Sequence, residues 1–69
     1  MDKKSIAWQG RAVETEAENV AAFLAELGVA AEQSVVEWNG EVFAPGEDLS
    51  AVPLSDGGSL SAFRVVAGG

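Results

Sequence analysis

Side-chain catalysis has few starting points in this sequence. Histidine and cysteine are both absent from its 69 residues. That removes the commonest general base and metal ligand, the thiolate nucleophile and any disulfide. Eleven residues are acidic, and Glu47-Asp48 is the obvious adjacent carboxylate pair. It sits in a Gly/Pro-rich loop with no basic or aromatic neighbour to make the two carboxyls behave differently, as acid–base work requires. A glycosidase-type pair also needs a cleft, which a chain this short rarely forms. "DLSAVPLSD" lacks the spacing of a calcium loop, and "DGG" has neither the lysine nor the helix start of a phosphate loop. The loop carboxylates therefore read as solvated.

The chemistry that remains lies at the end, "AFRVVAGG". Val66, Ala67, Gly68 and Gly69 carry no bulky side chain and, extended, span roughly 13 Å. Such a thread reaches into a cleft where any large Cβ substituent would clash. Its tip is a free carboxylate, a poor electrophile that must be activated before a nucleophile can attack, for example as an acyl-adenylate. That activation has to come from a partner, because this chain offers neither base nor phosphate cradle. The competing reading is a frayed terminus with no role.

Charge narrows the partners. The formal net charge is -7, with only Lys3, Lys4, Arg11 and Arg64 positive. Phosphate backbones are bound by neutralising cations, so nucleic acid is not an expected partner. Acidic charge favours capture by a basic protein surface, or it serves solubility alone; both readings stand. No apolar run approaches the roughly 20 residues of a membrane helix, and "MDKKSIAWQG" has no signal-peptide core. A cytoplasmic protein without membrane contact is expected.

The elements that must carry the tail are legible in outline. "KKSIAW" alternates, with Ile6 and Trp8 on one side and Ser5 and Ala7 on the other. After the turn "QG", "RAVET" returns to complete a hairpin. Val20, Leu24 and Leu27, with Phe23 beside them, form a helical stripe. Thr15 with Glu18 competes with Asn19 for the helix start, and Asn19 is preferred because the stripe begins just after it. Gly28 suits a left-handed C′ position, with Val29 meeting Leu24 as in a Schellman motif. "SVVEWNGEVFA" predicts a hairpin around Asn39-Gly40, where both turn residues need positive φ. "APGEDLSAVPLSDGG" reads as a loop with one helical turn near Glu47–Ala51, closed by Asp56-Gly57-Gly58. "SLSAFRVV" is the final strand.

This order, ββ-α-ββ-β, predicts one α+β domain over residues 1–69, its mixed sheet of four to five strands packed on one helix. A domain of this size buries only about 60% of its unfolded surface, so its core is thin. Trp8 and Trp38, in phase with Ile6 and Val36, read as core rather than ligand-stacking residues. On the last strand, if Leu60 and Ala62 face the helix, Ser61, Phe63 and Val65 point to the opposite side. Phe63 and Val65 are a contact surface for another protein, or else Phe63 folds under the sheet edge and enlarges the core.

Taken together, "SIAW", "NVAAFLAELGV", "VVEWNGEVF", "PLSDGGSL" and "FRVVAGG" resemble the ubiquitin-like sulfur carriers of the ThiS/MoaD family over nearly the whole length, the ThiS type more closely. MoaD-type carriers tend to be longer, with prolines ahead of the terminal glycines, and neither holds here. The resemblance implies a β-grasp fold with the first and last strands parallel and central. It implies no enzyme activity and no cofactor of the chain's own. An E1-like adenylyltransferase (ThiF-like) would adenylate Gly69, and sulfur from a persulfide would leave a thiocarboxylate there. A thiazole synthase (ThiG-like) would take that sulfur for the thiazole ring of thiamin. Gly68 and Gly69 would be the sulfur-carrying end, and Phe63, Val65, Val66 and Ala67 the partner-binding residues. Departures from the family pattern are Gly58 where "D-G-D" is usual, "A-P-G" where "P-R" follows the hairpin, and Asn19 where a threonine starts the helix. Two further readings remain: a carrier for molybdopterin or another sulfur-transfer pathway, and a ubiquitin-like protein modifier. A plain binding module is the fourth.

Overall fold

A computed structural model describes residues 3–65; the first two residues and positions 66–69 lie outside it. Five strands and one helix run in the order β1 (Lys4–Trp8), β2 (Arg11–Thr15), α1 (Val20–Glu26), β3 (Ser34–Trp38), β4 (Glu41–Phe43) and β5 (Ser59–Arg64). Short 3₁₀ turns at Ala31–Gln33 and Leu49–Ala51 fill the connections. The sheet order is β2-β1-β5-β3-β4. β1 and β5 are parallel, and the other pairings are antiparallel. The expected α+β sheet with central, parallel first and last strands is the one observed.

Turn chemistry explains the two hairpins. Gln9 and Gly10 have φ of 51° and 82°, and Asn39 and Gly40 have 50° and 88°. Both residues of each turn are left-handed, matching the twist of the flanking strands. Asn39 adds a tertiary link, its side-chain oxygen accepting from the Ser59 amide at 2.8 Å.

The helix starts at Asn19, whose Oδ1 accepts from the Ala22 amide at 2.8 Å. Thr15, the competing start, instead ends β2; its hydroxyl donates to Glu26 at 2.7 Å and accepts from the Ala17 amide at 3.0 Å. At the other end Gly28 has φ 75°. Val29 and Gly28 donate to the carbonyls of Leu24 and Ala25 at 3.0 and 3.1 Å, which is the Schellman pairing. With seven residues the helix is too short to persist in isolation, so packing must hold it.

That packing is a single small core. Val20, Phe23 and Leu24 of α1 lie fully buried against Ile6, Val36 and Leu60, with Trp38, Leu49 and Leu54 closing the periphery. Each such side chain contributes about 1.5–3 kcal/mol relative to exposure. Trp8 is half-buried and meets Phe23 edge-on, ring centres 6.5 Å apart. Both tryptophans therefore pack, as their phase implied. The long loop after β4 is tied back to the start of the helix: Val20 donates to the Val52 carbonyl and Leu54 to that of Glu18, both at 3.0 Å. Its helical turn, expected near Glu47–Ala51, is confined to Leu49–Ala51, where Asp48 caps the Ser50 amide at 3.1 Å.

Candidate functional site

β5 is the element that leads into the C-terminal residues, ending at Arg64. It lies between β1 and β3, with Leu60 fully buried. The alternating expectation carried "SLSAFRVV" as strand, but β5 ends at Arg64 and Val65 follows it in irregular backbone. The cause is the 3₁₀ turn ahead of β3. Val65 donates its amide to the Gln33 carbonyl at 2.8 Å, and the Arg64 guanidinium donates to the Gln33 side-chain oxygen at 3.0 Å. Gln33 thus fixes the point of departure with both backbone and side chain. On the other flank the Gln9 amide side chain donates to the Ala62 carbonyl at 3.0 Å. These two glutamines grip the last strand from opposite sides. They went unnoticed in the sequence because nothing local to either residue signals a contact with β5.

The face of the sheet turned away from the helix is assembled from strand register. Across the β3–β5 ladder Val35 faces Phe63, and Glu37 faces Ser61; across β3–β4, Glu37 faces Val42. Phe63 is 60% exposed, Val65 50% and Val42 63%. Phe63 is therefore surface and not an extension of the core, which settles that alternative. Val35 is half-buried beside it. Val42 belongs to the same face and is a third residue the sequence reading missed; the alternation of "EVF" against Trp38 would have placed it there. Val42, Phe63 and Val65 are thus large apolar residues left exposed among the described residues. Val66, Ala67, Gly68 and Gly69 lie outside the described residues.

No competing catalytic centre forms among the described residues. Glu47 and Asp48 are both exposed, and their carboxylates cap loop amides, Glu47 accepting from Ala44 at 2.6 Å. Asp56 accepts from the Ser5 amide at 2.6 Å, docking the loop onto β1. No group of three or more potential metal-ligating side chains occurs among these residues. A depression of about 380 Å³ is lined by Lys3, Glu14, Thr15, Glu16 and Glu26. A second, of about 290 Å³, lies beside the exit of β5 between Trp8, Gly28, Ala62 and Arg64. In the first, the Thr15 hydroxyl that donates to Glu26 is buried and also accepts from the Ala17 amide, so it ties β2 to the helix; the second holds no nucleophile paired with a base. No helix is long and apolar enough to cross a membrane among the described residues.

No family model matches the chain, and no curated protein matches it either. Among solved structures, the crystal structure of the thiamine biosynthesis protein ThiS from Geobacter metallireducens matches with a TM-score of 0.75. The two are 33% identical, over 94% of this chain and 99% of that one. The chain belongs to the ThiS family. Its five-stranded mixed sheet over one helix is the β-grasp fold of ThiS. Against the ThiS pattern, the departures noted in the sequence have physical counterparts. Asn19 does the capping for which a threonine is usual. Gly46 of "A-P-G" takes a left-handed φ of 89°, which suits glycine. At Gly58 an aspartate would collide with the indole of Trp38.

Proposed function

We propose that this chain is a sulfur carrier for assembly of the thiazole ring of thiamin. The observation that carries the reading is membership of the ThiS family, at 33% identity over 94% of the chain. The terminal carboxylate of Gly69 attacks the α-phosphate of ATP on a ThiF-like adenylyltransferase, releasing pyrophosphate and forming an acyl-adenylate. The outer sulfur of a persulfide displaces AMP, and a thiol then cleaves the resulting S–S bond, becoming part of a disulfide. Gly69 is left as a thiocarboxylate, which a ThiG-like thiazole synthase consumes. The carrier supplies the acyl group and its partners supply the catalytic side chains.

Two physical features support this. First, β5 is an interior strand, laddered to β3 as far as Arg64 and to β1 at Ser59 and Leu60. Second, Phe63 and Val65 offer apolar surface at the point of departure, and with Val66 and Ala67 they form the proposed partner contact. An aromatic anchor beside an extended thread gives a partner both affinity and alignment.

The test is intact mass after incubation with the adenylyltransferase of the same organism, ATP and a persulfide donor. A carrier gains the difference between one sulfur and one oxygen, at the C-terminal residue. A ubiquitin-like modifier appears instead on larger proteins, and an unchanged mass under verified enzyme activity defeats the proposal. A gain with a molybdopterin-type enzyme, and none with the ThiF-like one, reassigns the pathway.

A further inference from the structure

Glu37 occupies an awkward place. It projects from β3 on the outward face, with Val42 directly across one ladder and Ser61 directly across the other. Two residues along the strands, toward the chain exit, stands the Val35–Phe63 pair, a spacing of about 7 Å. The carboxylate is thus bracketed by exposed apolar groups, Val42 on one side and Phe63 diagonally on the other. Neither of its cross-strand partners is a cation. Arg64, the positive residue nearest along β5, belongs by alternation to the opposite face and is held by Gln33.

A single surface that covers both Val42 and Phe63 must also cover Glu37. Removing a carboxylate from water is costly unless an opposite charge answers it at close range. An apolar partner surface without a cation would therefore gain from Phe63 and lose as much at Glu37.

We propose that Glu37 is a specificity-determining residue of this face, read by one lysine or arginine of the adenylating partner. This rests on the carrier reading above. The cation stands about 7 Å from the pocket that receives Phe63, on the side away from the departing tail. Phe63 then supplies affinity, while Glu37 rejects surfaces that lack the matching charge. An enzyme that must hold the triphosphate of ATP has cations around its cleft, so the charge sign suits that partner.

The experiment measures binding of full-length carrier variants to the ThiF-like adenylyltransferase of the same organism, at low and moderate salt, alongside the mass gain at Gly69. Glu37→Gln is compared with Glu18→Gln, which removes the same unit of charge just before the helix, on another part of the surface. Glu37→Gln should weaken binding about 30-fold and flatten its salt dependence, and Glu37→Lys should weaken it further. Glu18→Gln should change affinity less than about threefold. Circular dichroism and urea unfolding confirm that all three variants fold. If Glu37→Gln binds like wild type, or if Glu18→Gln weakens binding equally, the proposal fails while the carrier reading survives. If wild-type protein gains no sulfur under verified enzyme activity, the carrier reading fails and this inference falls with it.

Discussion

The indole of Trp38 lies directly over Gly58, leaving no room for a Cβ at that position. The clash is purely steric, because Gly58 is not among the glycines with positive φ. Both residues are buried at the end of the sheet where the long loop returns to β5. Gly58→Ala should therefore destabilise the fold by about 1–3 kcal/mol, as overpacking does. Gly58→Asp should cost more. Adding Trp38→Leu to Gly58→Ala should recover part of the loss, giving a coupling measurable in a urea double-mutant cycle. Independent, additive effects would show that the indole moves aside freely.

The helix depends on its cap. Asn19→Ala removes the bond to the Ala22 amide and should lower stability by about 1 kcal/mol. In a domain of this size that is a sizeable share of the total. Asn19→Thr should retain most of it. Urea midpoints at constant m-value measure both.

Phe63 and Phe23 should behave as opposites. Phe63 is mostly exposed and Phe23 fully buried. Phe63→Ser should shift stability by less than about 0.5 kcal/mol but weaken binding to the adenylyltransferase at least about tenfold. Phe23→Ala should cost about 3–5 kcal/mol, enough to abolish cooperative melting. A large drop in melting temperature for Phe63→Ser with unchanged binding would reverse the assignment.

Removing Gly69 should eliminate the mass gain while leaving thermal unfolding within about 0.5 kcal/mol of wild type. The reason is that the buried apolar cluster of the described residues runs from Ile6 to Leu60. Loss of cooperative unfolding in the truncated protein would contradict that.

Local chemistry made much of this fold legible. Asn39-Gly40 announces its hairpin because few other residue pairs tolerate two left-handed positions in sequence. Asn19 and Gly28 bracket the helix for the same kind of reason, each satisfying end groups within a few residues. The features that stayed hidden depend on residues far apart in the chain. The grip of Gln33 on Arg64 and Val65 lies where β5 ends, leaving Val65 out of the strand that alternation would continue. The overlap of Trp38 with Gly58 is equally invisible to any short window. Phe63 shows the limit at the site itself: alternation groups it with Ser61, but which face is covered depends on where the helix packs.

The interior position of β5 has a mechanical consequence. A strand at the rim of a sheet can be peeled back to lengthen a tail, one ladder rung at a time. In β5 the rungs from Arg64 back to Ala62 are held by β3, but drawing chain out past them would break the ladders to β1 and β3 together and uncover Leu60. The domain is a mooring that yields little line. Any enzyme that uses the segment beyond Val65 must bring its reaction centre to the protein, within whatever length that segment already has.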